Sequence, residues 1–333
     1  MLNYILRRLV SALLVLLAVS IVTFAIFFLI PRATGADPAQ MYVGKSATPA
    51  DVAATGRKLG LDQPIPVQYG RFLKGLFVGR DFDTGPVRVH CDAPCFGYSF
   101  RSDREVWPLL LDRLPVTISL ALGAAVIWLI GGVLGGVVSA LRRGRPVDRV
   151  VMFVALAGVS LPTYFTGLVA QAVLVHRLHW FRGGEYVNFV DNPLGWANKL
   201  FLAWVTLAFV YAATYTRLTR AAMLDTVSED YIRTARAKGL NERRVIGRHA
   251  MRAVLTPIVT VFGLDLGGLL GGAILTESVF SLPGIGRLSI DAVGEKDLPI
   301  ILGVTLFAAS FIVLANLIVD LLYAGIDPRV RLT

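Results

Sequence analysis

The sequence lacks the motif that would let the chain bind ATP on its own. No G-x-x-x-x-G-K-[ST] stretch is present, and a P-loop needs those glycines to bring backbone N–H groups against the phosphates. The dinucleotide-binding pattern G-x-G-x-x-G is absent as well. The chain therefore carries neither of these sequence signatures of a nucleotide-binding enzyme.

Histidine and cysteine are scarce, with four and two residues. The serines have no plausible histidine and acid partners, since His176 and His179 fall in one predicted loop and His249 in another. No zinc-type ligand cluster is found. We therefore expect no catalytic residue, no metal site and no cofactor in this chain.

Charged residues make up only 17% of the chain, against 55% hydrophobic residues. A span of the hydrocarbon core needs about 20 apolar residues. Six stretches are long enough: 9–30, 114–141, 150–176, 201–217, 255–280 and 298–323. Backbone groups in lipid must be hydrogen-bonded internally, so these stretches predict an all-α polytopic membrane protein with six transmembrane helices.

The charges are distributed as the positive-inside rule expects when both termini are cytoplasmic. The inner segments then hold 17 Lys and Arg against 6 Asp and Glu, whereas the outer segments hold 16 against 14. The basic character of the chain thus indicates topology and contact with anionic membrane lipid. Because the basic residues are dispersed among the spans, nucleic-acid binding is not expected.

These spans divide the chain into four parts. Residues 1–30 form an N-terminal tail and an uncleaved first helix, because the apolar run exceeds the 7–15 residues of a signal peptide. An extracellular or periplasmic segment, 31–113, follows and is either a packed cap or a contact for substrate. Residues 114–323 form a five-helix core with a cytoplasmic loop at 218–254, and 324–333 form a cytoplasmic tail.

Cys91 and Cys95 both lie in the outer segment. An oxidising outer face favours a disulfide between them. A metal site with His90 and a pair of free thiols are the alternatives.

Two acidic residues fall inside the predicted fifth span. Asp265 lies ten residues after Leu255, about 15 Å along a helix that rises 1.5 Å per residue. An ionised carboxylate at that depth faces either a cavity of the translocation pathway or a neighbouring subunit. Glu277 lies near the outer end and is the second candidate for the pathway. In one continuous helix the two would not share a narrow face.

The second span carries Gly131, Gly132, Gly135 and Gly136. Small residues four positions apart let helix backbones approach closely in lipid.

The inner loop predicts two short amphipathic helices. Thr226 and Glu229 have capping-box spacing, so the first helix should start near Val227 and place Tyr231 and Ala235 on one face, with Ile232 beside them. Gly239 suits the left-handed residue that ends this helix. Asn241 can cap the second helix, whose apolar stripe is Val245, Ile246, Ala250 and Val254. The pattern indicates either a docking surface for another protein or a solvated basic loop.

The stretch YIRTARAKGL, followed by His249 and Pro257, resembles the cytoplasmic EAA loop of ABC-importer permeases in the dipeptide/oligopeptide (DppB/OppB-like) family. Arg233-Thr234-Ala235 stands where that loop usually has Glu-Ala-Ala. LGLDQPIPVQYGRFL, RLPVTISL, LPGIG and DPRVR resemble further parts of the same family.

The resemblance implies a type I ABC importer (MetI-like) permease fold in the inner or plasma membrane. It implies a heterodimer with a second homologous permease, two ATP-binding subunits that hold ATP and Mg, and an external substrate-binding protein. It assigns coupling to the ATPase to ten consecutive residues: Tyr231, Ile232, Arg233, Thr234, Ala235, Arg236, Ala237, Lys238, Gly239 and Leu240.

The resemblance favours import of di- or oligopeptides. Importers of nickel, glutathione or sugar share parts of this architecture, so these substrates stay open. A secondary transporter is the remaining alternative, but we find no internal repeat, and a basic docking loop would have little purpose in it.

Overall fold

The computed structural model describes residues 2–33, 39, 48–83, 88–181 and 185–326 of the chain. The DPRVR motif and most of the predicted tail lie outside this description. Within it, five helices are long and apolar enough to cross a membrane, and a bent helix pair makes six if the pair forms one span. The predicted helical membrane architecture is confirmed.

The first part of the chain is helical and also contains two short hairpins. The sequence patterns did not predict the hairpins. Its elements are α1 (Leu2–Ala33), α2 (Pro49–Leu59), α3 (Ile65–Val78), β1 (Arg80–Asp83), β2 (Arg88–Cys91), β3 (Tyr98–Ser99), β4 (Arg104–Glu105) and α4 (Val106–Leu141). Strand β1 pairs antiparallel with β2, and β3 pairs antiparallel with β4. The predicted outer segment therefore contains folded elements of its own.

The remaining part is helical in the described residues. Its elements are α5 (Pro146–Ser160), α6 (Thr163–Ala170), a π-helical segment (Gln171–Arg177), α7 (Pro193–Val227), α8 (Asp230–Ala237), α9 (Glu242–Arg244), a second π-helical segment (Val245–Ala250), α10 (Met251–Leu270), α11 (Ile274–Val279), α12 (Ile285–Glu295) and α13 (Leu298–Ile326).

The predicted third span, 150–176, is wrong as one continuous helix, although the proline in SLPTYFTGL indicates a kink within it. Helix α5 and the following helical run Thr163–Arg177, which comprises α6 and the first π-helical segment, meet at a bend of 102°. Leu161 is extended, with φ −90° and ψ 126°, and Pro162 caps α6. Proline disfavours the α conformation in the residue before it, which explains why the helix breaks at this point.

The predicted fifth span, 255–280, is also wrong as a continuous helix. Helix α10 ends at Leu270, and the chain becomes helical again only at Ile274. Gly272 has φ +122°, a conformation that few residues other than glycine adopt. Helix α7 is longer than predicted, because it extends well beyond 201–217 at both ends.

The described chain forms two compact units. The first comprises Met1–Thr117, Leu270–Ile274 and Pro283–Thr333. In it α13 packs along α1 and α12, and the rings of Phe24 and Phe28 stack with centroids 4.3 Å apart. The Sγ atoms of Cys91 and Cys95 are bonded to each other, and this disulfide is buried with Phe82 and Tyr98.

The second unit comprises Ile118–Leu269 and Leu275–Leu282. Helix α7 is its centre, with α5 and α6 packed against it. Glycines on α4 lie close to α7: an added Cβ at Gly132 would lie 2.5 Å from the Cβ of Tyr215, and one at Gly136 would lie 2.5 Å from the Cβ of Thr219. The predicted close helix packing is confirmed for these two positions. Gly131 has nothing within 4 Å and does not take part.

Candidate functional site

The inner loop contains the two short helices that were predicted, but the first begins later than expected. Helix α8 starts at Asp230, and Glu229 at its N-cap makes no side-chain capping bond. Thr226 is buried near the end of α7 and therefore does not cap α8. The predicted capping box is wrong because α7 continues through Thr226 and ends only at Val227.

One side of helix α8 is packed against neighbouring helices of the second unit. Ile232 and Ala235 are buried, and α8 packs against α7 and the second π-helical segment. Tyr231 was expected on one face with Ala235, but it is 46% exposed whereas Ala235 is buried. The rest of the surface is solvent-accessible, with exposed side chains at Arg233, Thr234, Arg236, Ala237 and Lys238. We call residues 231–240 the coupling loop, after the role that the family resemblance implies for them. Its exposed side is basic, and its buried side is packed against the second unit.

Gly239 ends α8 in the left-handed conformation, with φ +75°, as predicted. The side chain of Asn241 accepts a hydrogen bond from the Arg243 amide and caps the next helix. The predicted stripe of that helix is confirmed, since Val245, Ile246, Ala250 and Val254 are all buried. The segment Val245–Ala250 is π-helical, a variation that occurs frequently at functional sites.

One ion pair joins the two sides of this turn. Nε and Nη2 of Arg236 donate to the two carboxylate oxygens of Glu242 at 3.2 and 2.7 Å. These hydrogen bonds raise the pKa of the Arg236 guanidinium. Burial raises the pKa of the Tyr231 hydroxyl. At neutral pH the Arg236 guanidinium is therefore positively charged and the Tyr231 hydroxyl is neutral. The exposed face is basic.

A second polar cluster ties the α4–α5 turn to α7, and the sequence patterns did not reveal it. Both carboxylate oxygens of Asp148 accept from Arg220, at 2.9 and 3.0 Å. Ser139 and the Gly144 amide also donate to Asp148. The only sequence signal was an acid within the basic stretch LRRGRPVDR, and its partner is 72 residues away.

Asp265 lies on α10 and accepts a hydrogen bond of 2.8 Å from the Tyr215 hydroxyl of α7. Aromatic rings surround this contact. The Trp128 ring of α4 stacks on Tyr211 with centroids 4.6 Å apart, and lies 6.1 Å from Phe262. Three helices of the second unit thus converge on one carboxylate.

Glu277 does not share a helix with Asp265, contrary to the expectation of one continuous span. It is fully buried on the six-residue α11, beyond the break at Gly272. The spacing argument made for a continuous 255–280 helix therefore does not apply. Asp265 is five residues from the end of its helix, about 7.5 Å at 1.5 Å per residue.

Comparisons with known proteins match nearly the whole length of the chain. The model of the family described as "Binding-protein-dependent transport system inner membrane component" matches residues 132–332, and the model of its N-terminal part matches residues 1–121. A putative peptide transport system permease protein of Brucella abortus is 40% identical over 327 residues, 98% of each chain. The dipeptide transport system permease protein DppB of Alkalihalophilus pseudofirmus is 37% identical over 351 residues, 99% of this chain and 100% of its own.

Among solved structures, the chain is similar to one of an inward-facing MetNI methionine ABC transporter. The TM-score is 0.51 at 16% identity, and the match covers 66% of this chain and 97% of the other. At this identity the likeness concerns the fold alone. The MetI-like fold expected from the sequence is confirmed.

Proposed function

This chain belongs to the family of binding-protein-dependent transport system inner membrane components, and we propose that it is a permease subunit of an ATP-driven importer for di- or oligopeptides. The observation that carries the proposal is the match over 98% of both chains to a protein named as a peptide transport permease. The chain has several membrane-spanning helices and is a multi-pass membrane protein. The charge asymmetry supports cytoplasmic termini.

The proposed complex contains a second homologous permease, two ATP-binding subunits and an external substrate-binding protein. ATP and Mg are bound by the ATP-binding subunits, and this chain supplies half of the translocation pathway. The exposed coupling loop supports this arrangement, because one of its faces is anchored and the other is left for a partner. Nickel or glutathione are the alternative substrates.

In the proposed mechanism the ATP-binding subunits move the coupling loop when they close. Ile232 and Ala235 transmit that displacement, since they are packed against the rest of the second unit. The spans then exchange between inward- and outward-open states, and ATP and substrate shift the balance through their different affinities for the two states. Asp265 and Glu277 are proposed to act in the pathway.

Purification of the chain from its native membrane in mild detergent tests the proposal. We expect a second six-helix permease and two P-loop ATPases to copurify, and the reconstituted complex to accumulate radiolabelled tripeptides only when ATP is supplied. Recovery of this chain alone, from a preparation that still transports, would instead indicate a secondary transporter. Uptake of nickel or glutathione without peptide uptake would support the assignment as a permease and contradict the assignment of peptide as its substrate.

Replacement of Gly239 by valine is expected to reduce ATP-driven uptake about tenfold. Nothing lies within 4 Å of an added Cβ, so the change meets no neighbour. It does place a branched residue at φ +75°, which costs about 1–2 kcal/mol and distorts the end of α8. The measurement is peptide uptake by proteoliposomes containing equal amounts of complex.

Gly239→Asn is the matched control, because asparagine tolerates the left-handed conformation better than other residues with a Cβ. We expect it to keep most of the uptake. Equal uptake by the valine variant, the asparagine variant and the wild type would show that the geometry of this turn is not needed for coupling.

A further inference from the structure

The strongest unexplained feature of the second unit is the carboxylate of Asp265. It lies on a helix of apolar composition, and the Tyr215 hydroxyl satisfies only one of its two oxygens. In the described residues no cation pairs with it. A membrane-embedded carboxylate is costly without a partner, so a group of opposite charge is expected to meet it at some stage of transport.

The surroundings define the chemistry of that group. Tyr211 and Tyr215 are four residues apart on α7, and Phe262 precedes Asp265 by three residues on α10, so each pair shares a helix face. Trp128 contacts Tyr211, Tyr215 and Phe262 with ring centroids 4.6, 6.2 and 6.1 Å away. Trp128 and Tyr215 are fully buried, whereas Tyr211 and Phe262 are partly exposed and offer the aromatic faces that a ligand can reach. An aromatic face and a carboxylate together attract an ammonium group.

There is also room beside the carboxylate. Gly268 is one turn beyond Asp265 on the same face of α10, and an added Cβ there would meet no atom within 4 Å. Gly268 is exposed, and Asp265 is partly exposed. A ligand can therefore approach the carboxylate over Gly268 without displacing a side chain of the second unit.

We propose that Asp265, with Tyr211 and Tyr215, forms a subsite that binds the ammonium group of a peptide as it passes through the permease. The subsite rests on the proposed peptide-import function. The ammonium comes from the peptide N-terminus or from a lysine side chain. Asp265 contacts the ligand, and Tyr215 positions the carboxylate.

Thiol labelling at Gly268→Cys tests the subsite without depending on transport. The two native cysteines form a disulfide, so Cys introduced at 268 is the single free thiol of this chain, and labelling is read on this chain after the subunits are separated. We compare cationic trimethylammonium-ethyl and anionic sulfonato-ethyl methanethiosulfonates on the assembled complex. The cation-to-anion rate ratio, relative to a free thiol in solution, is expected to be at least about tenfold above unity and to fall about tenfold when Asp265→Asn is added.

Gly294→Cys is the matched reference. Gly294 is exposed on α12 and has nothing within 4 Å, so its labelling ratio should not respond to Asp265→Asn. Protection of the thiol at 268 from labelling distinguishes the two sources of the ammonium group, the peptide N-terminus and a lysine side chain. Protection by trialanine and not by N-acetyl-trialanine identifies the N-terminal ammonium, whereas protection by N-acetyl-Lys-Ala-Ala identifies the lysine side chain.

Uptake by proteoliposomes with saturating substrate-binding protein completes the test. Asp265→Asn should lower trialanine uptake about tenfold, with Asp265→Glu retaining more of it and Tyr215→Phe losing less. A thiol at 268 that reacts with neither reagent, or with a ratio independent of residue 265, would overturn the subsite. If the wild type takes up no peptide while the charge preference at 268 persists, the peptide assignment fails and a cation site remains.

Discussion

Changing Arg236 to glutamate should remove at least about nine-tenths of ATP-driven uptake while the chain still inserts in the membrane. The guanidinium lies on the exposed face of the coupling loop, where the proposed mechanism places an ATP-binding subunit. A surface of the ATP-binding subunit that complements a positive charge is itself negative. Glutamate at position 236 would bring two negative charges together, and like charges across an interface cost several kcal/mol. The measurements are peptide uptake, the ATPase rate and the amount of ATP-binding subunit that copurifies.

The pair with Glu242 provides the control for this prediction. Its side chains are 38% and 57% exposed, and exposed ion pairs contribute only about 0–1 kcal/mol. Glu242→Gln should therefore leave uptake near the wild-type level. The double variant Arg236→Glu with Glu242→Arg restores a pair within the loop but not the charge presented at position 236, so its uptake should stay low. Recovery in the double variant would assign the role of Arg236 to the internal pair.

The structure of the inner loop, 218–254, was largely predictable because its signals are local. Gly239, the cap at Asn241 and the stripe from Val245 to Val254 depend on neighbours within a few turns, and all three were found as expected. The start of α8 was not, since the Thr226 and Glu229 pattern permits a helix start there but does not require one. The helix α7 continues through Thr226, which is buried, and the burial of Thr226 depends on residues that are distant in the sequence.

The polar contacts of the core could not be read from the sequence. Tyr215 meets Asp265 across 50 residues, and Arg220 meets Asp148 across 72. Each requires two helices to be placed side by side, which no periodicity within one helix determines. The breaks at Pro162 and Gly272 illustrate a related limit. Hydropathy stays high across both, so a count of apolar residues yields one span where the backbone has two helices.

The second large effect is expected at Gly136 on α4. An added Cβ would lie 2.5 Å from the Cβ of Thr219 and 2.7 Å from the carbonyl oxygen of Thr216, and a backbone oxygen has no rotamer through which to withdraw. Gly136→Val must push α4 away from α7. Overpacking of this kind costs about 1–3 kcal/mol, and more where the backbone itself is in the way. We expect a marked loss of folded protein and a lower Tm in detergent.

Gly131 provides the comparison that separates packing from helix propensity. It lies on the same helix, is exposed and has nothing within 4 Å of an added Cβ. Gly131→Val makes the same chemical change and should leave Tm and yield near the wild-type values. If both variants lost stability equally, glycine would be needed on α4 for its backbone freedom alone. If only Gly136→Val lost stability, the small residues of α4 would form the contact surface that holds α7 against α4. That contact would also hold Tyr215, and through it the Asp265 cluster, in place.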